Sequence, residues 1–291
     1  EWLDNVQVIK DAALKNNLHQ ILVNAVADND PTLYIAPNKI IDWEKIDGFH
    51  ITGVRNTNNE IDIDYEGYFA YIRRKEIKDV LAKLRNDNLM ATNNSGEEVI
   101  ISNVYDGLIY EIVHNEVKYL LCYGDWYEID TTFYNQIKLK INSIPDADIK
   151  LPNCMHQEGE GTYNKRVATA CGHLLLDSQN YQPSEYGHSK IEPCDILTED
   201  EQFLHIKKGR GSSKLSHLFA QGLVSARIFR SDPGFKTHIN AVSNRVRNKD
   251  ILTRNPSTHV HEIIFGIIDD REGPHSTILP FFSMVNLSQV V

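Results

Sequence analysis

Long apolar runs are absent from the chain's 291 residues. No stretch approaches the roughly 18 consecutive apolar residues of a membrane span, so an integral membrane protein is excluded and no membrane partner is expected. Cysteine is scarce as well: four residues, Cys122, Cys154, Cys171 and Cys194, stand far apart with no C-x-x-C pair. That spacing argues against a zinc ribbon or a disulfide framework and makes a reducing, cytoplasmic setting the default. No secretory leader is visible, although a chain that opens on Glu1 reads as a fragment of something longer. Internal repeats and low-complexity tracts are missing too. The loop Gly209-Arg210-Gly211 is too short for a Walker motif, and no G-x-S-x-G elbow accompanies Ser212, Ser213 and His217. Positive charge is short overall: a net charge of −10 argues against wholesale wrapping of nucleic acid.

What is present suits a globular protein, with 41% hydrophobic and 24% charged residues. Over residues 1–27, Leu3, Val6, Ile9, Ala13, Leu18, Ile21, Leu22 and Ala25 are spaced roughly as one helical face. Asp28-Asn29-Asp30-Pro31 ends that helix, and β-like pieces follow over Leu33–Ile41 and Ile46–Ile51. Beyond a polar loop at Asn56–Glu60, the segment Tyr65–Leu89 alternates aromatic and basic residues and becomes a helix over KEIKDVLAKLRND. Tyr65, Tyr68, Phe69 and Tyr71 are expected to pack in a core rather than stack on bases. Strands are expected from Glu97 to Asp130, with hairpin turns at Asn115-Glu116 and Gly124-Asp125. A helix over Thr131–Ile144 leads into a proline-containing polar stretch near 145–153. That stretch is the expected boundary between an N-terminal mixed α/β domain, 1–150, and a second domain, 151–291. The fold class is α+β.

From about residue 158 the expected order is α-β-β-β-α-α-β, centred on Ile191–Phe229. A first β-like run, Ile191–Leu197, carries Asp195. After the acidic turn Thr198–Glu201, a second run, Gln202–Lys208, carries His205 and Lys207, which alternation places on one strand face. A helix follows, N-capped by Ser212 or Ser213, with Leu215, Leu218, Phe219, Leu223 and Ile228 as its apolar stripe. Ser213, His217 and Gln221 recur along its polar side. Between Gly211 and Pro256 there are eight Lys/Arg against two acids, a local positive surplus. His259 and His261 share a strand face and lack partners at metal-ligand spacing, so they read as polar strand positions.

Asp195, then His205-x-Lys207, then Gln221, in this element order, resembles the PD-(D/E)XK nuclease superfamily over about residues 155–285. The resemblance implies a restriction-endonuclease-like αβββαβ domain. It implies a catalytic set of Glu160 (with Glu158 as its substitute), Asp195, His205, Lys207 and Gln221. Asp195, His205 and Glu160 would then bind the metal, and Lys208, Arg210, Lys214 and His217 the nucleic acid. Mg²⁺ or Mn²⁺ is the implied cofactor and DNA the implied partner. A homodimer is compatible with it, because two strands need cutting. His205 stands where the superfamily has Glu, Asp or Gln, and imidazole suits Mn²⁺ better than Mg²⁺. The whole chain, with CDILTEDEQF and GDWYEID, also resembles a sporadically distributed bacterial family found in mobile and restriction-like gene neighbourhoods. The implied function is a metal-dependent endonuclease in defence against foreign DNA such as phage. The alternative is an inactive nuclease-fold module for DNA binding or protein assembly.

Overall fold

The computed structural model describes residues 5–37, 46–54, 63–93, 95–183, 191–209 and 212–290. The expected loop at Asn56–Glu60, part of Leu33–Ile41, and the capping side chains of Ser212 and Ser213 lie outside them. The chain divides into two compact units: residues 1–140 with 211–213, and residues 141–210 with 214–291. No helix among the described residues is long and apolar enough to cross a membrane.

The first unit opens with strand β1 (Val6–Val8), where the sequence pattern suggests helix. The helix α1 (Ala12–Asp28) starts later because Asp11 caps it, its carboxylate accepting from Leu14 N at 2.7 Å. Ahead of that cap, β1 pairs its backbone with the distant β8 (Asp125–Ile129). Between them run β2 (Tyr34–Ile35), β3 (Ile46–Ile51), α2 (Tyr65–Arg74), α3 (Val80–Asn86), β4 (Asn88–Asn93), β5 (Glu98–Asn103), α4 (Val104–Gly107), β6 (Leu108–His114) and β7 (Val117–Cys122). One antiparallel sheet has the order β1-β8-β7-β6-β2 and another β3-β4-β5. Two-residue turns close the β6–β7 and β7–β8 hairpins, with positive φ at Asn115, Glu116, Tyr123 and Gly124. That backbone gives the twist a tight hairpin needs. The second turn falls one residue earlier than its sequence suggests. Tyr68 and Phe69 are buried in the core, as expected, with Tyr65 and Tyr71 packed against it. Helix α5 (Thr131–Asn142) follows.

The second unit runs α6 (Glu160–Cys171), β9 (Leu174–Leu175), β10 (Ile196–Leu197), β11 (Phe203–Lys208), α7 (Ser212–Ser231), α8 (Pro233–Arg247), β12 (Ile263–Ile268), α9 (His275–Ile278) and α10 (Phe281–Ser288). Its sheet has the order β12-β11-β10-β9; β9, β10 and β11 are antiparallel, and β12 is parallel to β11. Alternation sorts the sheet into two faces. Ile196, Leu204 and Ile206 pack on Tyr163 and Val167 of α6. Leu174, Leu197 and Phe203 pack on Phe229 of α7 and Phe235 and Ile239 of α8. The run expected as a strand over Ile191–Leu197 is cut to two residues, because Pro193 offers no N–H to a ladder. Ile191 keeps only an isolated bridge to Tyr181.

Gly222 sits in the middle of α7, where helix propensity disfavours glycine. A β-carbon there would stand 2.5 Å from Cε1 of Phe265 on β12, so close contact requires it. Gly222→Val is therefore expected to lower stability by about 2 kcal/mol or more, read as an earlier midpoint in chemical denaturation; an unchanged midpoint would refute this packing.

Candidate functional site

β11 outlasts its neighbour. β10 pairs with it only at Ile196–Leu204 and Leu197–Phe203, and beyond that the β11 edge needs other acceptors. Two carboxylates supply them. The amide of Ile206 donates to Asp195 Oδ2 at 2.6 Å, and the amide of Lys208 donates to Glu160 Oε2 at 2.7 Å. Two residues of strand separate these amides, so they hold the acids about 7 Å apart along one edge. Glu160 comes from the first turn of α6, and Lys207 Nζ donates to its other oxygen, Oε1, at 3.0 Å.

Asp195 is fixed at both ends. Its amide donates to Leu204 O at 3.0 Å, and its carbonyl accepts from Leu176 N at 2.8 Å and Asp177 N at 3.0 Å. Its Oδ1 accepts from Asn164 Nδ2 on α6 at 3.0 Å. The same chain crossing brings in two further acids. Glu192 Oε1 accepts from Ser178 N at 2.6 Å, and Ser178 Oγ donates to Asp177 Oδ1 at 3.1 Å. Carboxylate oxygens of Asp177, Glu192 and Asp195 lie within 4.8 Å of one another. Ser225 of α7 ties down the intervening segment by donating to Pro193 O. Burial, together with the charges of Glu192, Glu160 and Asp177, pushes Asp195 up to about 7 against the pull of the Ile206 amide. Burial first and Asp177 next push Glu192 up to about 7 as well. Among the described residues, Lys207 draws Glu192 back down in part against these effects.

The structure therefore brings Asp195, Glu160 and Lys207 to one edge and sets His205 elsewhere. Leu204 and Ile206 face α6, so His205 faces α7. There its ring lies 6.2 Å from that of Phe265, which in turn packs on Phe219 of α7. It is 2% exposed, and its Nε2 has no hydrogen-bond partner among the described residues. Desolvation holds its pKa down to about 4, so the ring is neutral. The metal-ligand role expected of His205 finds no support in this placement. The shared face with Lys207 does not extend to the Lys207 head group, which reaches Glu160 of α6.

Other expected residues separate in the same way. Glu158, the substitute for Glu160, is bound by Arg166 through Nε and Nη2 at 2.7 Å each, which with Met155 N holds its carboxyl down to about 2. Lys208 Nζ donates to Glu158 O at 2.6 Å. Gln221, Lys214 and His217 are half-buried on α7, and Arg210 lies outside the described residues. The basic surplus is partly spent at home, since Arg247 and Lys249 both pair with Glu199. His261 is no loose strand residue: it precedes β12 and its Nε2 meets buried Glu201 at 2.9 Å. A cavity of about 330 Å³ lies away from these acids, among Phe219, Phe265, Ile278 and Leu279 with Asp269 and Arg271.

The chain belongs to a family of unknown function, DUF6119, whose model matches residues 1–291. No curated protein and no solved structure matches it. Sequence reasoning does not single out Asp177, Glu192 or Asn164. The available signals are an acid three residues before Asp195 and a Glu160-x-x-x-Asn164 pair on one helix face.

The buried imidazole predicts acid sensitivity. Its folded-state pKa is depressed, from 6.5 to about 4, so its contribution is complete above pH 6.5 and is lost as pH falls towards 4. That loss amounts to about 3 kcal/mol. Denaturation at pH 7 and pH 4 is expected to show that loss in the wild type beyond what His205→Leu loses; equal losses in both would refute the assignment.

Proposed function

We propose that the second unit is a restriction-endonuclease-like nuclease that hydrolyses phosphodiester bonds of DNA with Mg²⁺ or Mn²⁺, in the cytoplasm and in defence against foreign DNA. One observation carries this: three carboxylates converge at the same strand edge as the Glu160–Lys207 pair. The element order α-β-β-β-α-α-β around that edge supports the fold assignment. The donor set fits the cofactor. Asp177, Glu192 and Asp195 offer oxygen alone, as hard divalent cations prefer, and their mutual repulsion is what such a cation would relieve. A bound cation would polarise a phosphate and lower the pKa of a water.

The remaining chemistry belongs to the chain. Asn164 and the Ile206 amide fix both oxygens of Asp195 in place. Glu160, itself held by the Lys208 amide, positions the Lys207 ammonium at the edge where a phosphate's negative charge would develop. Lys207 is also the group to offset charge on the attacked phosphorus or to orient water. His205 takes no part, being on the other face.

The alternative, a nuclease fold without chemistry, is favoured by the Glu160–Lys207 ion pair, in which the lysine is already matched by a carboxylate at 3.0 Å. Cleavage of plasmid and single-stranded DNA separates the two. The expected result is activity with Mg²⁺ or Mn²⁺ that falls about a hundredfold or more in Asp195→Asn and in Lys207→Ala, with both variants folded by circular dichroism. Salt-sensitive DNA binding without cleavage in either metal would establish the alternative instead.

A further inference from the structure

Asn164 is 1% exposed in the interior of α6, and a buried amide in a helix needs partners for both its ends. Its Nδ2 has one, Asp195 Oδ1 at 3.0 Å. Its Oδ1 is fully buried and has none among the described residues. Leucine has similar volume and would remove the unmatched carbonyl, but it would also take the amide donor from Asp195 Oδ1. The amide is aimed at the group of Asp177, Glu192 and Asp195 by its bond to the last of them.

The orientation follows from charge. An ionised Asp195 accepts hydrogen bonds only, so it is the NH₂ end of the amide that bonds it. With Ile206 N on Oδ2 and Asn164 on Oδ1, both carboxylate oxygens are held and one further lone-pair direction remains on each. Glu160 lies one helical turn before Asn164, so α6 presents two polar side chains to the same strand edge. One bonds the strand amide at Lys208 directly, and the other bonds the aspartate that caps Ile206.

We infer that Asn164 is a positioning residue of a divalent-cation site formed by Asp177, Glu192 and Asp195, its NH₂ fixing the Asp195 carboxylate and its carbonyl accepting from a water held at that site. This rests on the cation reading above and extends it to a residue that does not touch the ion. Groups that orient a metal ligand typically change affinity by about 10- to 100-fold when removed.

The test uses Mn²⁺ alone, with affinity read by electron paramagnetic resonance or calorimetry on the full chain without DNA. Asn164→Leu is expected to weaken Mn²⁺ binding about tenfold or more, measured on a variant shown to be folded by circular dichroism. Asn164→Ser, which keeps a short donor, is expected to fall between the wild type and Leu, and it serves if the Leu variant does not fold. Mn²⁺ bound as tightly by both variants as by the wild type overturns the role of Asn164. A wild type that binds no more Mn²⁺ than Asp195→Asn overturns the cation site itself, a separate result.

Discussion

The second unit depends on how the edge of β11 is satisfied. A strand buried beneath helices must find acceptors for its amides, and β10 provides them for only two residues before Pro193 turns the chain away. The Asp195 and Glu160 carboxylates take over at Ile206 and Lys208. A backbone obligation is thereby converted into a chemical feature. Two acids are fixed at strand spacing, and each keeps a second oxygen for something else. One second oxygen bonds Asn164 and the other bonds Lys207.

That arrangement concentrates negative charge, with little among the described residues to offset it. Lys207 answers Glu160, but Asp195, Glu192 and Asp177 face one another beneath partial burial, and two of them are pushed up to about 7. Elsewhere in this unit an arginine answers such a carboxylate, as Arg166 does Glu158 and Arg271 does Asp269. Glu201 shows another way to keep a buried carboxylate ionised. Burial pushes it up, yet donors from Thr253, Arg254 and His261 outweigh that and hold it below the usual range. Asp195 takes the second of these solutions in part, through Ile206 and Asn164, yet burial and the neighbouring acids still push it up to about 7. On the proposed reading, a cation is what would offset the charge that remains.

Much of the architecture was legible because it rests on local signals. Alternation over Phe203–Lys208, the apolar stripe of α7 and the turn at Asn115-Glu116 each act within a few residues. What escaped depended on partners far along the chain. Val6–Val8 is a strand only because Tyr127–Ile129 lies beside it, and its apolar spacing is equally good for a helix until Asp11 is recognised as a cap. At the site, Asp195 and Lys207 stood out as an acid and a lysine on adjacent strands. Asp177 and Glu192 did not, because what joins them is the Asp195 carbonyl taking the Asp177 amide and the Ser178 amide reaching Glu192.

His205 shows where pattern and geometry part. Its place in His205-x-Lys207 suggests a ligand beside the lysine. Alternation does put both on one face, but that face lies under α7, and Phe265 and Phe219 make it apolar. A six-residue strand ends at Lys208, so the lysine sits near its end and its long stem can leave the face for Glu160. Imidazole has no such reach. On the proposed reading, the oxygen ligand lost from β11 is replaced from the two segments that flank β10's edge, Glu192 just before Pro193 and Asp177 just after β9. Substituting an acid at 205 would then bury a charge against Phe265 instead of restoring a ligand, because the position faces away from the acids whatever residue occupies it.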